Sequence, residues 1–244
     1  MHNIAMKIAY DGTNYHGYQE QPGFITVEEE LRKAVEKTVR HPVKLFMAGR
    51  TDKGVHALGQ TVNFYSETTI NIGNLPKVIN YHLPEDISVM GARYVEQDFH
   101  SRYSAKKKFY RYIIYRGKYR NPMYHNRSYH FPYPLNLENM RKASECLIGE
   151  HDFNSFMGRH AVVKDTIRTI EKIEIHEEKE VLYIDFYGKS FLKNMVRILV
   201  GTLIEIGTGH RDTEFMKRAL VAKKRKAAGP TAPACGLYLM KIYY

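Results

Sequence analysis

The segment Gly49-Arg50-Thr51-Asp52-Lys53-Gly54-Val55-His56-Ala57 lies between two stretches of contrasting pattern. Before it, Val43-Lys44-Leu45-Phe46-Met47-Ala48 is mostly apolar and reads as a buried strand. After it, Gln60-Thr61-Val62-Asn63-Phe64-Tyr65 alternates as a second strand should. A chain that leaves one strand and enters another so soon must turn tightly, and Gly49 and Gly54 allow backbone angles closed to a side chain. Asp52 therefore emerges where a strand runs out into a loop, with Arg50 and Lys53 beside it. Working residues concentrate in such loops, although an isolated Arg-x-Asp in a turn is more often simply solvated.

Strand and helix patterns alternate along the rest of the chain. Thr26-Val27-Glu28-Glu29 reads as a capping box opening a helix to about Arg40, with Val27, Leu31 and Val35 on one face. A short helix is expected over 77–81 and a strand over 87–95. Beyond a connector at 99–105, a strand is expected from Phe109 to Arg116 and a helix from Leu137 to Ile148, capped by Asn136. Residues 169–176 and 181–187 read as a hairpin around Glu177-Glu178-Lys179. Ser190 is expected to start a helix carrying Asn194 and Arg197, Asp212 to cap a later one, and Gly236 to Tyr244 to close as a strand.

The 244 residues carry 37 Lys and Arg against 26 Asp and Glu, a formal charge of +11 that favours a polyanionic partner through phosphate contacts and counterion release. Lys106-Lys107-Lys108 runs into Phe109-Tyr110-Arg111-Tyr112, while Lys223-Lys224-Arg225-Lys226 opens the Gly229-Pro230 loop. Basic and aromatic residues thus lie together at two places, where phosphates could be neutralised and bases stacked. These seven Lys and Arg are the candidate RNA-binding residues.

Other chemistries find no support. Cys146 and Cys235 form no C-x-x-C, so no H-x-E is paired with the C-x-x-C of a zinc deaminase, and neither a metal nor a disulfide framework is expected. Walker-type and G-x-G-x-x-G loops are missing, so no nucleotide cofactor is expected. The opening residues lack an apolar signal-type segment, and no run approaches the eighteen or so apolar residues of a span. The expectation is a cytoplasmic protein away from membranes.

The nonapeptide extended through Leu58-Gly59-Gln60 resembles the signature of the tRNA pseudouridine synthase A (TruA) family. Further matching segments follow in order: Met6 to Thr13 with Tyr15 and Gly17; Phe99 to Ala105; Tyr110-Arg111-Tyr112; Gly149 to Phe153; Arg168-Thr169-Ile170; Phe191-Leu192 with Met195-Val196-Arg197 and Gly201; and Thr231 to Ala234 with Gly236 to Leu239. Two departures stand out: Tyr18 occupies a place where the family usually has Trp, and Cys235 one where His or another polar residue is frequent.

The resemblance implies an α+β fold of two ferredoxin-like (RRM-like) halves, 1–104 and 105–244, sharing an extended antiparallel or mixed sheet with a central cleft: the pseudouridine synthase fold. It implies an isomerase that acts at positions 38 to 40 of the tRNA anticodon arm, works as a homodimer and uses no cofactor. By the same resemblance Asp52 is the catalytic nucleophile and Arg197 its ion-pair partner. Tyr110 contacts the target uridine, and Arg50 suits displacement of the target nucleotide. Detaching uracil from C1′, turning it and rejoining it through C5 asks for little beyond one carboxylate, and an Asp is ionised at neutral pH. Asn194, Arg197 and Gly201 fall at i, i+3 and i+7 on one helix face, although an Arg there could instead snorkel over apolar surface. A non-catalytic RNA-binding or chaperone protein of the same fold is the alternative, which the intact Arg50, Asp52, Tyr110 and Arg197 set disfavours.

Overall fold

The tight turn at Gly49–Gly54 belongs to the first of two units in the computed structural model, which describes residues 1–159, 163 and 165–244. This unit holds Met1–Lys106 and Leu239–Tyr244. It contains strands β1 (His2–Tyr10), β2 (Phe46–Met47), β3 (His56–Ser66) and β4 (Ile87–Val95), with helices α1 (Val27–Val39) and α2 (Leu75–Asn80). β1 lies between β3 and β4, antiparallel to both, in the registers Ile4↔Phe64 and Ala5↔Arg93. Ile4, Met6, Ile8, Val62 and Phe64 are fully buried, as are Val27, Leu31 and Val35 on the apolar face of α1. Side chains of this size contribute roughly 1.5–3 kcal/mol each on burial.

Local signals set the ends of α1. Thr26 Oγ1 accepts from the Glu29 backbone N–H at 3.4 Å, and Arg40, left-handed at φ 61°, closes the last turn through its N–H to Glu36 O. Glu29's carboxylate pairs forward with Lys33 Nζ at 2.7 Å, so the reciprocal half of the expected box is directed elsewhere. The apolar run 43–48 is mostly not a strand, since Phe46 and Met47 form the short ladder with β3, extended by one bond from Ala48 N to Thr61 O at 2.9 Å. Val43's N–H is taken by the Glu36 carboxylate at 3.1 Å instead of a strand neighbour, while Leu45 and Ala48 reach the core. α2 begins two residues earlier than expected because Pro76 suits a first helical turn.

Buried amides dock the connector onto this sheet. Asn3 Nδ2 donates to Glu96 O and Phe99 O, Asn63 Nδ2 donates to Asn3 Oδ1, and Asn63 Oδ1 accepts from Ser101 N, all within 3.0 Å.

The second unit, Lys107–Tyr238, contains β5 (Lys107–Tyr115), β6 (Tyr129–His130), α3 (Leu137–Glu145), β7 (Gly149–Asp152), β8 (Ile167–Glu178), β9 (Val181–Gly188), α4 (Met195–Gly207) and α5 (Phe215–Ala222). β5, β9, β8 and β7 follow one another antiparallel, and β6 runs parallel to β5, which makes this sheet mixed. Arg111, opposite Asp185, grips its buried carboxylate with two 2.7 Å hydrogen bonds. α3, capped by the Asn136 side chain, packs on α4 and β8.

α4 is buried on nearly every side, as befits a helix that is apolar all round. It starts at Met195, not Ser190, because Asn194 is left-handed at φ 59° and blocks backward extension. α5 likewise begins at Phe215. Asp212 stands one turn upstream, where its carbonyl accepts from Phe215 N and its carboxylate pairs with Arg218 at 2.9 and 3.0 Å. Cys235 lies in a 3₁₀ turn ahead of β10 (Leu237–Tyr243). From Leu239 onward the chain groups with the first unit, whereas the division at 104/105 kept the closing strand with the second. There Gly59 lets the two backbones touch, since a Cβ on it would stand 2.3 Å from Met240 O.

Candidate active site

In the first unit the opening segment and the Asp52 turn form one structural object. Tyr10 Oη and Thr51 Oγ1 share a buried 2.8 Å hydrogen bond, Tyr18 N donates to Thr51 O at 3.1 Å, and Val55 N closes the turn onto Asp52 O at 3.1 Å. Gly54 is left-handed at φ 75°, as the turn requires. Gly12 and Gly17 press backbone against backbone: a Cβ would lie 2.0 Å from Val55 O at Gly12 and 2.7 Å from Thr51 O at Gly17. His56 Nδ1 accepts from Gly12 N at 3.0 Å and lies 3.1 Å from Asp11 Oδ1, which ties the far end of the turn to the same segment.

Thr51 and Val55 are buried while Asp52 is half-buried between them, and Arg50 and Lys53 are exposed. The arrangement presents a carboxylate from a fixed backbone. Burial raises the Tyr10 and Tyr18 phenols far above their ordinary range, so both rings behind the turn are neutral at physiological pH. Tyr18, the residue that departs from the family's usual Trp, is fully buried, and its hydroxyl has no hydrogen-bond partner among the described residues.

In the second unit Arg197 sits in the first turn of α4. Its Nε donates to Ala232 O at 2.8 Å and its Nη1 to Asn194 Oδ1 at 3.1 Å, while Ala232 N returns a bond to Arg197 O. The i, i+3 relation of Asn194 and Arg197 read from the sequence is thus a real contact, although Asn194 precedes the helix. Gly201 lets the 229–232 loop cross α4, since a Cβ there would stand 1.9 Å from Pro230 O. Tyr110 lies on β5 opposite Phe186, 8% exposed, with its ring edge-on to Phe191 at 5.2 Å.

The candidate RNA-binding cations divide. Lys106, in the first unit, and Lys224 and Lys226, in the second, are exposed. Lys107 Nζ pairs with Glu171 at 3.1 Å and Lys223 Nζ with Asp152 at 3.1 Å; Lys108 is half-buried. Arg225 is largely structural, with its guanidinium holding Ala228 O, Gly229 O and Thr231 Oγ1. Nothing in the local sequence marked the supporting roles of Thr51 and Gly12, because each depends on a contact far along the chain.

Among the described residues no group of three or more His, Cys, Asp or Glu is placed to hold a metal, and no helix is long and apolar enough to cross a membrane. A half-exposed carboxylate on a braced turn, in an α+β chain of basic charge, fits the class of RNA-modifying isomerases. A family model described as tRNA pseudouridine synthase matches residues 6–104 and 143–244, and the chain belongs to that family. The chain is 46% identical over 244 residues to the tRNA pseudouridine synthase A of Thermoanaerobacter sp. (strain X514), covering 100% of both. It is 44% identical over 239 residues to that of Bacillus licheniformis, with 97% of each covered, and 45% over 250 residues to that of Limosilactobacillus reuteri, with 100% of this chain and 97% of the relative covered. Among solved structures, the archaeal box H/ACA sRNP Nop10-Cbf5 complex is similar at a TM-score of 0.37 and 12% identity, over 92% of this chain and 59% of that one, too slight a likeness to inform the site.

Proposed function

We propose that this tRNA pseudouridine synthase acts at positions 38 to 40 of the anticodon arm, as a cytoplasmic homodimer, with Asp52 as its nucleophile. The observation that carries the reading is the braced Asp52 turn, in which a half-buried carboxylate is held by Tyr10–Thr51 and by the Gly12 and Gly17 backbones. Asp52 attacks the target nucleotide, the C1′–N1 bond breaks, and the uracil turns within the site and bonds to C1′ through C5; Asp52 is released with its carboxylate restored, and the proton lost from C5 is matched by one taken up at N1. Atoms and charge balance without water, redox partner or carried group. Tyr110 contacts the base, Arg50 displaces the target nucleotide from its stack and holds phosphate, and Arg197 is the cation that accompanies the Asp52 carboxylate.

Incubation with unmodified tRNA and site-resolved pseudouridine mapping tests this. Product confined to the anticodon arm is expected. Binding without any product would instead favour a non-catalytic RNA-binding role, and product elsewhere in the tRNA would overturn the assigned positions.

A further inference from the structure

Arg159, Lys193, Arg211, Arg225, Lys226 and Glu205 line a pocket of about 770 Å³ within the second unit. Its walls are fixed by backbone. Gly158 N donates to Lys193 O at 2.8 Å, and Cβ atoms built on Gly158 and Gly229 would stand 2.7 Å from Asn194 Nδ2 and 2.8 Å from Thr202 Cα. Arg225 secures one rim by gripping the 228–231 loop. Burial and the like charge of Arg159 both lower Arg225, so two guanidinium groups act on each other across this concavity. Glu205 is the one acidic residue among the described lining residues, and its carboxylate stands 3.8 Å from Arg211 Nε. Five cations converging against one carboxylate focus a positive field.

The pocket abuts the candidate arginine. Asn194 lines it and accepts from Arg197, and lining residue Thr231 precedes Ala232, whose carbonyl also accepts from Arg197. Its aromatic lining residue, Phe215, lies under Arg211 and Arg218, with their guanidinium carbons 4.7 and 6.0 Å from the ring centroid, which leaves a nucleobase little ring face. Phosphates of a polymer suit this wall better than a mononucleotide does.

We propose that this pocket binds two consecutive backbone phosphodiester groups of the substrate RNA next to the target uridine. The proposal rests on the reading of tRNA as substrate. The test uses the full-length protein and an exposed-residue variant, Arg159→Gln with Lys193→Gln, in binding of a tRNA transcript across a salt series and in tritium release from C5-labelled uridine. The log-log salt slope is expected to flatten by about 1.5, at roughly 0.7–0.9 per phosphate contact. KM should rise about tenfold with kcat within about twofold, since phosphate contacts bind without taking part in the chemistry. Neutral methylphosphonates at the two flanking linkages should weaken the parent and leave the variant unchanged, and the charge-keeping pair Arg159→Lys with Lys193→Arg should restore the slope. An unchanged slope and KM in the Gln variant would overturn the proposal. So would micromolar competition by ATP or tripolyphosphate without any methylphosphonate effect, which would assign the pocket to a free phosphate compound. A parent that binds tRNA but releases no tritium would strike the catalytic reading alone, because the slope and the methylphosphonate effect are read from binding.

Discussion

Tyr10 Oη stands 2.8 Å from Thr51 Oγ1, so a phenol on the first strand fixes the residue next to Asp52. Both groups are buried, and removing one leaves the other without this partner. Tyr10→Phe should lower stability by about 1 kcal/mol, a typical net value for such a bond. If the bond also aims Asp52, kcat should fall about fivefold, equivalent to ~1 kcal/mol in the barrier, with tRNA affinity unchanged. A stopped tritium-release assay beside filter binding checks this, and equal loss in both would show a general loosening of the fold instead.

Elements governed by neighbours in sequence were legible: the Thr26 cap, β4 at its observed bounds, the β8–β9 hairpin and the Asn136 cap. Elements decided at a distance were not. Glu36 draws Val43 out of strand pairing, a left-handed Asn194 delays α4, and Asp212 turns its carboxylate to Arg218. The Asp52 turn could be found as a motif, yet its bracing by Gly12 and His56, 44 residues apart, has no periodic signature. The basic run 223–226 reads as uniform, but Arg225 faces carbonyls while Lys224 and Lys226 face solvent.

Asp52→Asn separates chemistry from binding. The amide keeps the shape and loses the nucleophilic charge, while phosphate contacts remain with Lys and Arg. Pseudouridine formation should fall below detection, with tRNA affinity within about threefold, ~0.6 kcal/mol. Substantial tritium release by this variant would sink the assignment of Asp52 as the nucleophile.

Gly201→Ala tests the crossing of the 229–232 loop over α4. The added Cβ would meet Pro230 O at 1.9 Å and Pro230 C at 2.9 Å, both backbone atoms, so the loop must move. Destabilisation of about 2–3 kcal/mol is expected from such overpacking. Displacement of Ala232 should also weaken its contacts with Arg197 and reduce turnover. Urea unfolding at the parental midpoint would show that the loop yields at no cost.

The buried Tyr18 hydroxyl predicts a gain. Among the described residues it has no hydrogen-bond partner, and leaving a polar group in that state costs about 1–3 kcal/mol. Tyr18→Phe keeps the ring and removes the hydroxyl, so the melting temperature should rise, with stability up by about 1 kcal/mol. A fall in stability would mean that the hydroxyl is satisfied in solution, for instance by an internal water.

Arg197 supplies the sharpest contrast between charge and geometry. Its Nε and Nη1 donate in two directions, to Ala232 O at 2.8 Å and Asn194 Oδ1 at 3.1 Å, which a planar guanidinium does without bending. A lysine ammonium is a point charge on a flexible stem and cannot reproduce both bonds from one atom. The backbone link from Ala232 N to Arg197 O survives substitution, so Arg197→Lys should fold with a melting temperature close to the parent's. Under the proposed role beside Asp52, turnover should still fall at least about tenfold, ~1.4 kcal/mol in the barrier, with Arg197→Met lower again and tRNA affinity little changed. Near-parental turnover in Arg197→Lys, with only the thermal midpoint shifted, would reduce Arg197 to a residue that holds the 229–232 loop.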